Sequence, residues 1–136
     1  MTVYYPVEAG SIAAPIRPRD GGAVKQLSVI RRTFNMLAQT TSDTLEGITL
    51  PKGFRCVRWG LVPSATLGST TLALGIVGTT GKYRAAATVT APVSGDVVTA
   101  PPAAGLAADE AVLVTIAAAT MPGSGTVAVE FWGTYE

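Results

Sequence analysis

Thr71-Leu72-Ala73-Leu74-Gly75-Ile76-Val77-Gly78-Thr79-Thr80-Gly81-Lys82-Tyr83-Arg84-Ala85-Ala86-Ala87-Thr88-Val89-Thr90 is the stretch that decides the fold class. Residues 71–77 alternate, with Leu72, Leu74 and Ile76 on one side and Ala73, Gly75 and Val77 on the other. Residues 82–90 alternate again and put Tyr83, Ala85, Ala87 and Val89 on one face. A period of two on both sides of Gly78-Thr79-Thr80-Gly81 predicts two antiparallel strands joined by a hairpin loop. The same loop comes close to a phosphate-binding loop and fails it. Ile76 stands where the first glycine is needed, and Tyr83 stands where a magnesium-binding hydroxyl should follow the lysine. Gly75, Gly78 and Gly81 also lack the spacing of a dinucleotide fingerprint.

Outward from this hairpin the same rhythm repeats. Residues 43–50 form a short strand that ends at the turn Pro51-Lys52-Gly53. Residues 54–62 place Arg55, Val57, Trp59 and Leu61 on one face and Phe54, Cys56, Arg58 and Val62 on the other, so Arg55 and Arg58 point apart. Residues 111–119 bring Val112, Val114 and Ile116 together. After the turn at 121–125, residues 126–135 put Val127, Val129, Phe131 and Tyr135 on one face, with Glu130 and Trp132 on the other. Residues 92–110 are loop-rich, with a short strand at Asp96–Thr99, and the alanines at 103–110 allow a short helix. Residues 24–38 have two readings. Val24, Leu27, Ile30, Phe34 and Leu37 make a helical stripe, whereas Ser28, Ile30, Arg32 and Phe34 make a strand face. Missing caps and frequent β-branched residues favour the strand. Seven or eight strands at this spacing make an all-β chain: a single antiparallel β-sandwich, residues 24–136.

Residues 1–23 read as an extended N-terminal arm. Pro6, Pro15 and Pro18 exclude regular helix or central strand. Val3, Tyr4, Tyr5, Val7, Ile12 and Ile16 are too apolar for an idle tail. The arm is therefore expected to lie on a body, its own or a neighbour's. Tyr4, Tyr5, Ile12 and Ile16 would anchor it, Arg17 or Arg19 would meet a carboxylate at the rim, and Trp132 is a further interface candidate.

The residue inventory excludes most chemistry. Histidine is absent and Cys56 is the lone cysteine. No imidazole relay, zinc site or internal disulfide can be assembled. No cofactor is expected, and no enzyme activity. Asp109-Glu110 is the one adjacent acid pair, and neighbours on a strand point apart. Cys56 reads as a small buried hydrophobe. Charged residues make up only 14% of the chain against 48% apolar. Ordinary domains carry about 25% charged residues. So poorly charged a surface is expected to be covered by other subunits. Residues 1–84 hold all ten Lys and Arg with four acids, whereas 85–136 hold five acids and no base. That asymmetry marks a partner surface, or it cancels if the two halves interleave in one sheet. The basic residues are dispersed, so no nucleic-acid partner is expected. The N-terminus lacks the pattern of a secretory signal, and no apolar run approaches a membrane span.

Leu50-Pro51-Lys52-Gly53-Phe54, residues Ala65 to Gly75, Gly81-Lys82-Tyr83-Arg84-Ala85-Ala86, residues Ala108 to Leu113, and Pro122-Gly123-Ser124-Gly125-Thr126-Val127 together resemble the capsid decoration, or cement, proteins of tailed bacteriophages. The resemblance covers residues 43–136. It implies a jelly-roll-like sandwich, commonly a homotrimer, that binds the major capsid protein on the outer surface of the virion head and stabilises the shell. Such a protein would be made in the host cytoplasm. The alternatives are another phage structural module (tail, baseplate or head fibre) or a carbohydrate-binding sandwich whose groove would show Trp59, Trp132 or Tyr83.

Overall fold

A computed structural model describes residues 2–4, 27–97 and 105–135. They form nine strands: β1 (Val3–Tyr4), β2 (Ser28–Asn35), β3 (Thr44–Leu50), β4 (Phe54–Pro63), β5 (Thr71–Ile76), β6 (Thr79–Thr88), β7 (Val93–Asp96), β8 (Glu110–Ala117) and β9 (Thr126–Tyr135). One sheet has the order β1-β3-β8-β5-β6 and the other β2-β9-β4-β7. The protein is an all-β sandwich. Every pairing is antiparallel except the short parallel contact of β1 with β3.

The pairing has a simple logic. β5 pairs with β6, β4 with β7, β3 with β8 and β2 with β9. The chain is thus one long hairpin, nested around a bend at Val77-Gly78 and wound into two layers. That winding is jelly-roll-like. The bend is tighter than the four-residue loop expected. Ile76 pairs directly with Thr79, and Gly78, at φ 85°, takes the left-handed position.

The two layers close on Phe34, Phe54, Phe131, Leu45, Leu61, Leu72 and Ile116, all essentially inaccessible to solvent. Phe54 meets Tyr135 and Phe131 meets Tyr83 edge-on, at ring separations of 5.5 and 5.3 Å. Because early strands pair with late ones, the basic first half and the acidic second half interleave, and Arg31 meets Glu130 and Lys82 meets Glu110 across them.

Residues 28–35 are strand, with Ile30 and Phe34 inward, so the helical stripe is not used. Tertiary pairing along all of β9 outweighs the i, i+3, i+4 pattern. Three further expectations need correction. The short strand after Pro92 is Val93–Asp96; of the expected Asp96–Thr99, Asp96 is strand, Val97 is not, and residues 98 and 99 lie outside the described residues. Residues 105–109 are not helical, and no helix occurs among the described residues. Their backbone is engaged instead: Leu106 donates to the Phe54 carbonyl at 3.0 Å and accepts from the Gly53 amide at 2.8 Å.

The third correction concerns phase. β4 carries a bulge between Cys56 and Arg58 in its pairing with β9. Phe54 and Cys56 point into the core, Val57 is the inserted residue, and then Trp59 and Leu61 point in. The alternation expected across 54–62 therefore flips midway. Arg55, opposite Thr134, and Arg58, opposite Trp132, share the outer face instead of pointing apart. β6 slips as well, since Leu72 pairs with Ala87 but Leu74 with Arg84. Tyr83 and Arg84 are both buried, while residues 85–88 are exposed.

Candidate functional site

The outer face of the β2-β9-β4-β7 sheet carries a groove of about 530 Å3. Strand register builds it. Val29, Trp132 and Arg58 form one row across β2, β9 and β4. Arg31, Glu130 and Gly60 form the next. Gly60 has no side chain, and this opens the floor. A Cβ there would come within 3.0 Å of Glu130 Oε1. Leu27, Val62, Pro92, Val93 and Trp132 supply the apolar lining. Leu27, Val29 and Val93 are all exposed, Leu27 by 57%.

The polar groups of the groove are few. Arg31 Nη1 lies 3.5 Å from Glu130 Oε2, an ion pair at the surface. Arg58 Nη2 donates to Ser94 Oγ at 3.1 Å. Asp96 sits opposite Arg58 in the register, yet among the described residues the hydrogen-bond partner of Arg58 is the neutral serine. The lining holds a serine but no base free to activate it: Glu130 is held by Arg31. Among the described residues, the lining brings no nucleophile together with a free base.

A second polar cluster lies where β6 crosses β8. Lys82 Nζ donates to Glu110 Oε2 at 2.6 Å, and the Tyr83 hydroxyl donates to Glu110 Oε1. Burial, and then the Glu110 carboxylate, push the Tyr83 phenol well above its ordinary range. Nearby, burial pushes the Cys56 thiol up to about 12, so it stays protonated and inert. Cys56 is 3% exposed, as a structural thiol should be. The cluster ties an edge strand to the sheet. Asp109 points elsewhere, accepting from the Lys52 amide at 2.7 Å, so the adjacent acids do not converge. No group of three or more metal-ligating side chains occurs among the described residues.

Arg84 is a third polar feature and one that the sequence does not announce. It is 5% exposed. Its Nη1 donates to the carbonyls of Leu72 at 2.5 Å and Ala87 at 3.1 Å, and its Nη2 to that of Thr88 at 3.2 Å. Its guanidinium lies 4.8 Å from the Trp59 ring centroid. Trp59 in turn donates to the Asp96 carbonyl at 3.0 Å and packs on Gly95, where a Cβ would come within 2.8 Å of the indole. Desolvation lowers the affinity of Arg84 for its proton.

Of the three aromatics that could mark a sugar-binding groove, Trp59 and Tyr83 are buried and Trp132 is half-buried. Trp132 lines the groove. Tyr4 is half-buried in β1 and packs against the protein's own core, with the Thr2 amide donating to Asp43. Tyr5, Ile12, Ile16, Arg17 and Arg19 lie outside the described residues.

The backbone trace matches chains from two phage capsids. A chain of the capsid of Ralstonia phage GP4 superposes with a TM-score of 0.69 at 20% identity, covering 99% of each chain. A chain of the cyanophage Pam1 capsid asymmetric unit gives a TM-score of 0.68 at 17% identity, covering 90% of this chain and 94% of that one. The fold is shared end to end. At such identity the likeness is one of architecture. No protein-family model matches the sequence, and no curated protein matches it. The groove and the buried Arg84 are therefore read from this chain's own geometry.

Proposed function

We propose that this protein is a noncatalytic structural component of a phage virion that decorates the head and stabilises its shell. The observation that carries the reading is the near full-length correspondence with chains from two phage capsids. The absence of histidine and the lack of a nucleophile–base pair in the groove are in keeping with it. The partner would be the major capsid protein, met on the outer surface of the head after synthesis in the host cytoplasm. Low charge and the exposed Leu27, Val29 and Val93 favour a homo-oligomer, with a trimer as the leading form. A protein that binds only the assembled shell stabilises it by mass action. In this proposal Tyr5, Ile12 and Ile16 anchor the segment before Leu27, and Arg17 or Arg19 meets a carboxylate at its rim.

Heads purified without the protein and then mixed with it provide the test. Saturable binding and a higher temperature of DNA release are expected, along with trimers in sedimentation. Replacing Tyr5, Ile12 and Ile16 by serine should leave a folded β-domain that binds heads poorly. Heads that neither bind the wild-type protein nor gain heat resistance would refute the decoration role.

A further inference from the structure

We infer that the groove on the β2-β9-β4-β7 face receives an extended segment of the shell protein that presents an apolar side chain beside a carboxylate. The inference rests on the capsid reading and specifies its contact surface. Three features of the groove select this chemistry. The lining is mainly apolar: Leu27, Val62, Pro92, Val93 and Trp132. Trp132 is flanked by Val29 and Arg58 on the neighbouring strands, and a strand-borne tryptophan is an anchor of the kind that dominates binding energy. The glycine at position 60 removes the one side chain that would fill the floor.

Charge completes the description. Arg31 and Glu130 neutralise one another across the two strands. Among the described residues Arg58 has a neutral hydroxyl as its hydrogen-bond partner, on an exposed face, next to the apolar wall. A guanidinium offers a planar pair of donors suited to a carboxylate. An apolar side chain settling on Gly60 and Trp132 would bring an adjoining Asp or Glu to Arg58. A groove of about 530 Å3 accommodates a few side chains, not a broad flat surface.

The experiment uses the full chain and heads purified without it. A photo-crosslinking residue, Trp132→p-benzoylphenylalanine, is bound to heads, irradiated and analysed by mass spectrometry. The expected product joins position 132 to a shell-protein segment with an Asp or Glu within two residues of an apolar residue. Arg58→Glu should weaken head binding at least tenfold, and Arg58→Lys far less, with circular dichroism unchanged in both. A crosslink to another copy of this chain, or to its own residues 5–26, would overturn the inference while leaving the capsid reading in place. So would Arg58→Glu binding with wild-type affinity. Failure of the wild-type protein to bind heads at all would remove both.

Discussion

Replacing Arg84 by methionine should destabilise the sandwich by about 3 kcal/mol. The side chain makes three hydrogen bonds to carbonyls from a position 5% exposed, and its guanidinium faces Trp59 at 4.8 Å. Hydrogen bonds to a charged group contribute roughly 1.5–3 kcal/mol each. A desolvated cation–π contact adds up to about 2 kcal/mol. The gross loss is therefore on the order of 6 kcal/mol, taking the low end for the bonds. Against it stands the desolvation of the guanidinium, several kcal/mol, which methionine escapes. About half the gross figure survives. Arg84→Lys should lose about 2 kcal/mol, because one ammonium cannot span three carbonyls and an indole. Urea unfolding at a fixed protein concentration measures both, followed by far-ultraviolet circular dichroism. With a slope near 2 kcal/mol/M, the methionine variant should shift the midpoint down by roughly 1.5 M. A methionine variant with an unchanged or raised midpoint would show that desolvation outweighs the carbonyl cradle, and the reasoning would fail.

Gly75→Ala should prevent folding, because its Cβ would lie 2.3 Å from the Thr79 carbonyl oxygen, where backbone cannot yield. Gly123→Ala, with open space at its Cβ, should be close to neutral in the same expression and melting assays. Asp43 is held below the ordinary aspartate value of 3.8, first by the Thr40 amide. Its contribution is full above that value and is lost as pH falls through the lower, folded-state value. Asp43→Asn should therefore lower the melting temperature at pH 7, and by progressively less as pH falls below 3.8. Cys56 is raised from 9.0 to about 12, so stability should decline as pH rises across that window, where only the unfolded chain releases the proton. Cys56→Ala should flatten that decline, and Ellman's reagent should label the native thiol only at the rate of unfolding.

Fold class was legible because Gly and Pro punctuate short period-two runs, and turn chemistry is local. Leu72 and Leu74, then Val112, Val114 and Ile116, then Val127, Val129 and Phe131 face the core as their alternation requires. The phase of β4 was not legible. A bulge at Val57 is a property of the pairing with β9, and nothing in Arg55-Cys56-Val57-Arg58 marks it. Arg84 is a stronger case. An arginine inside an alternating strand reads as solvent-facing, and its cradle exists only because β6 slips against β5 and brings three carbonyls together. Of the groove, Trp132 was legible as an interface candidate. Gly60 and Arg58 were not, because a depression arises from what strands from four parts of the chain omit side by side.

The nested pairing also sets a timetable for biosynthesis. Ser28 pairs with Gly133, and Asn35 with Thr126, so the first long strand waits for the last. The ribosome adds about 5–20 residues per second, which leaves Ile30 and Phe34 without their sheet for several seconds. The inner pair, β5 with β6, can close first around Val77-Gly78, and the outer pairs must follow in order. Completion is thus postponed until the C-terminal strand leaves the exit tunnel. Truncation before Thr126 would strip the central partner from both β2 and β4, so a product cut there could not pass for a finished subunit.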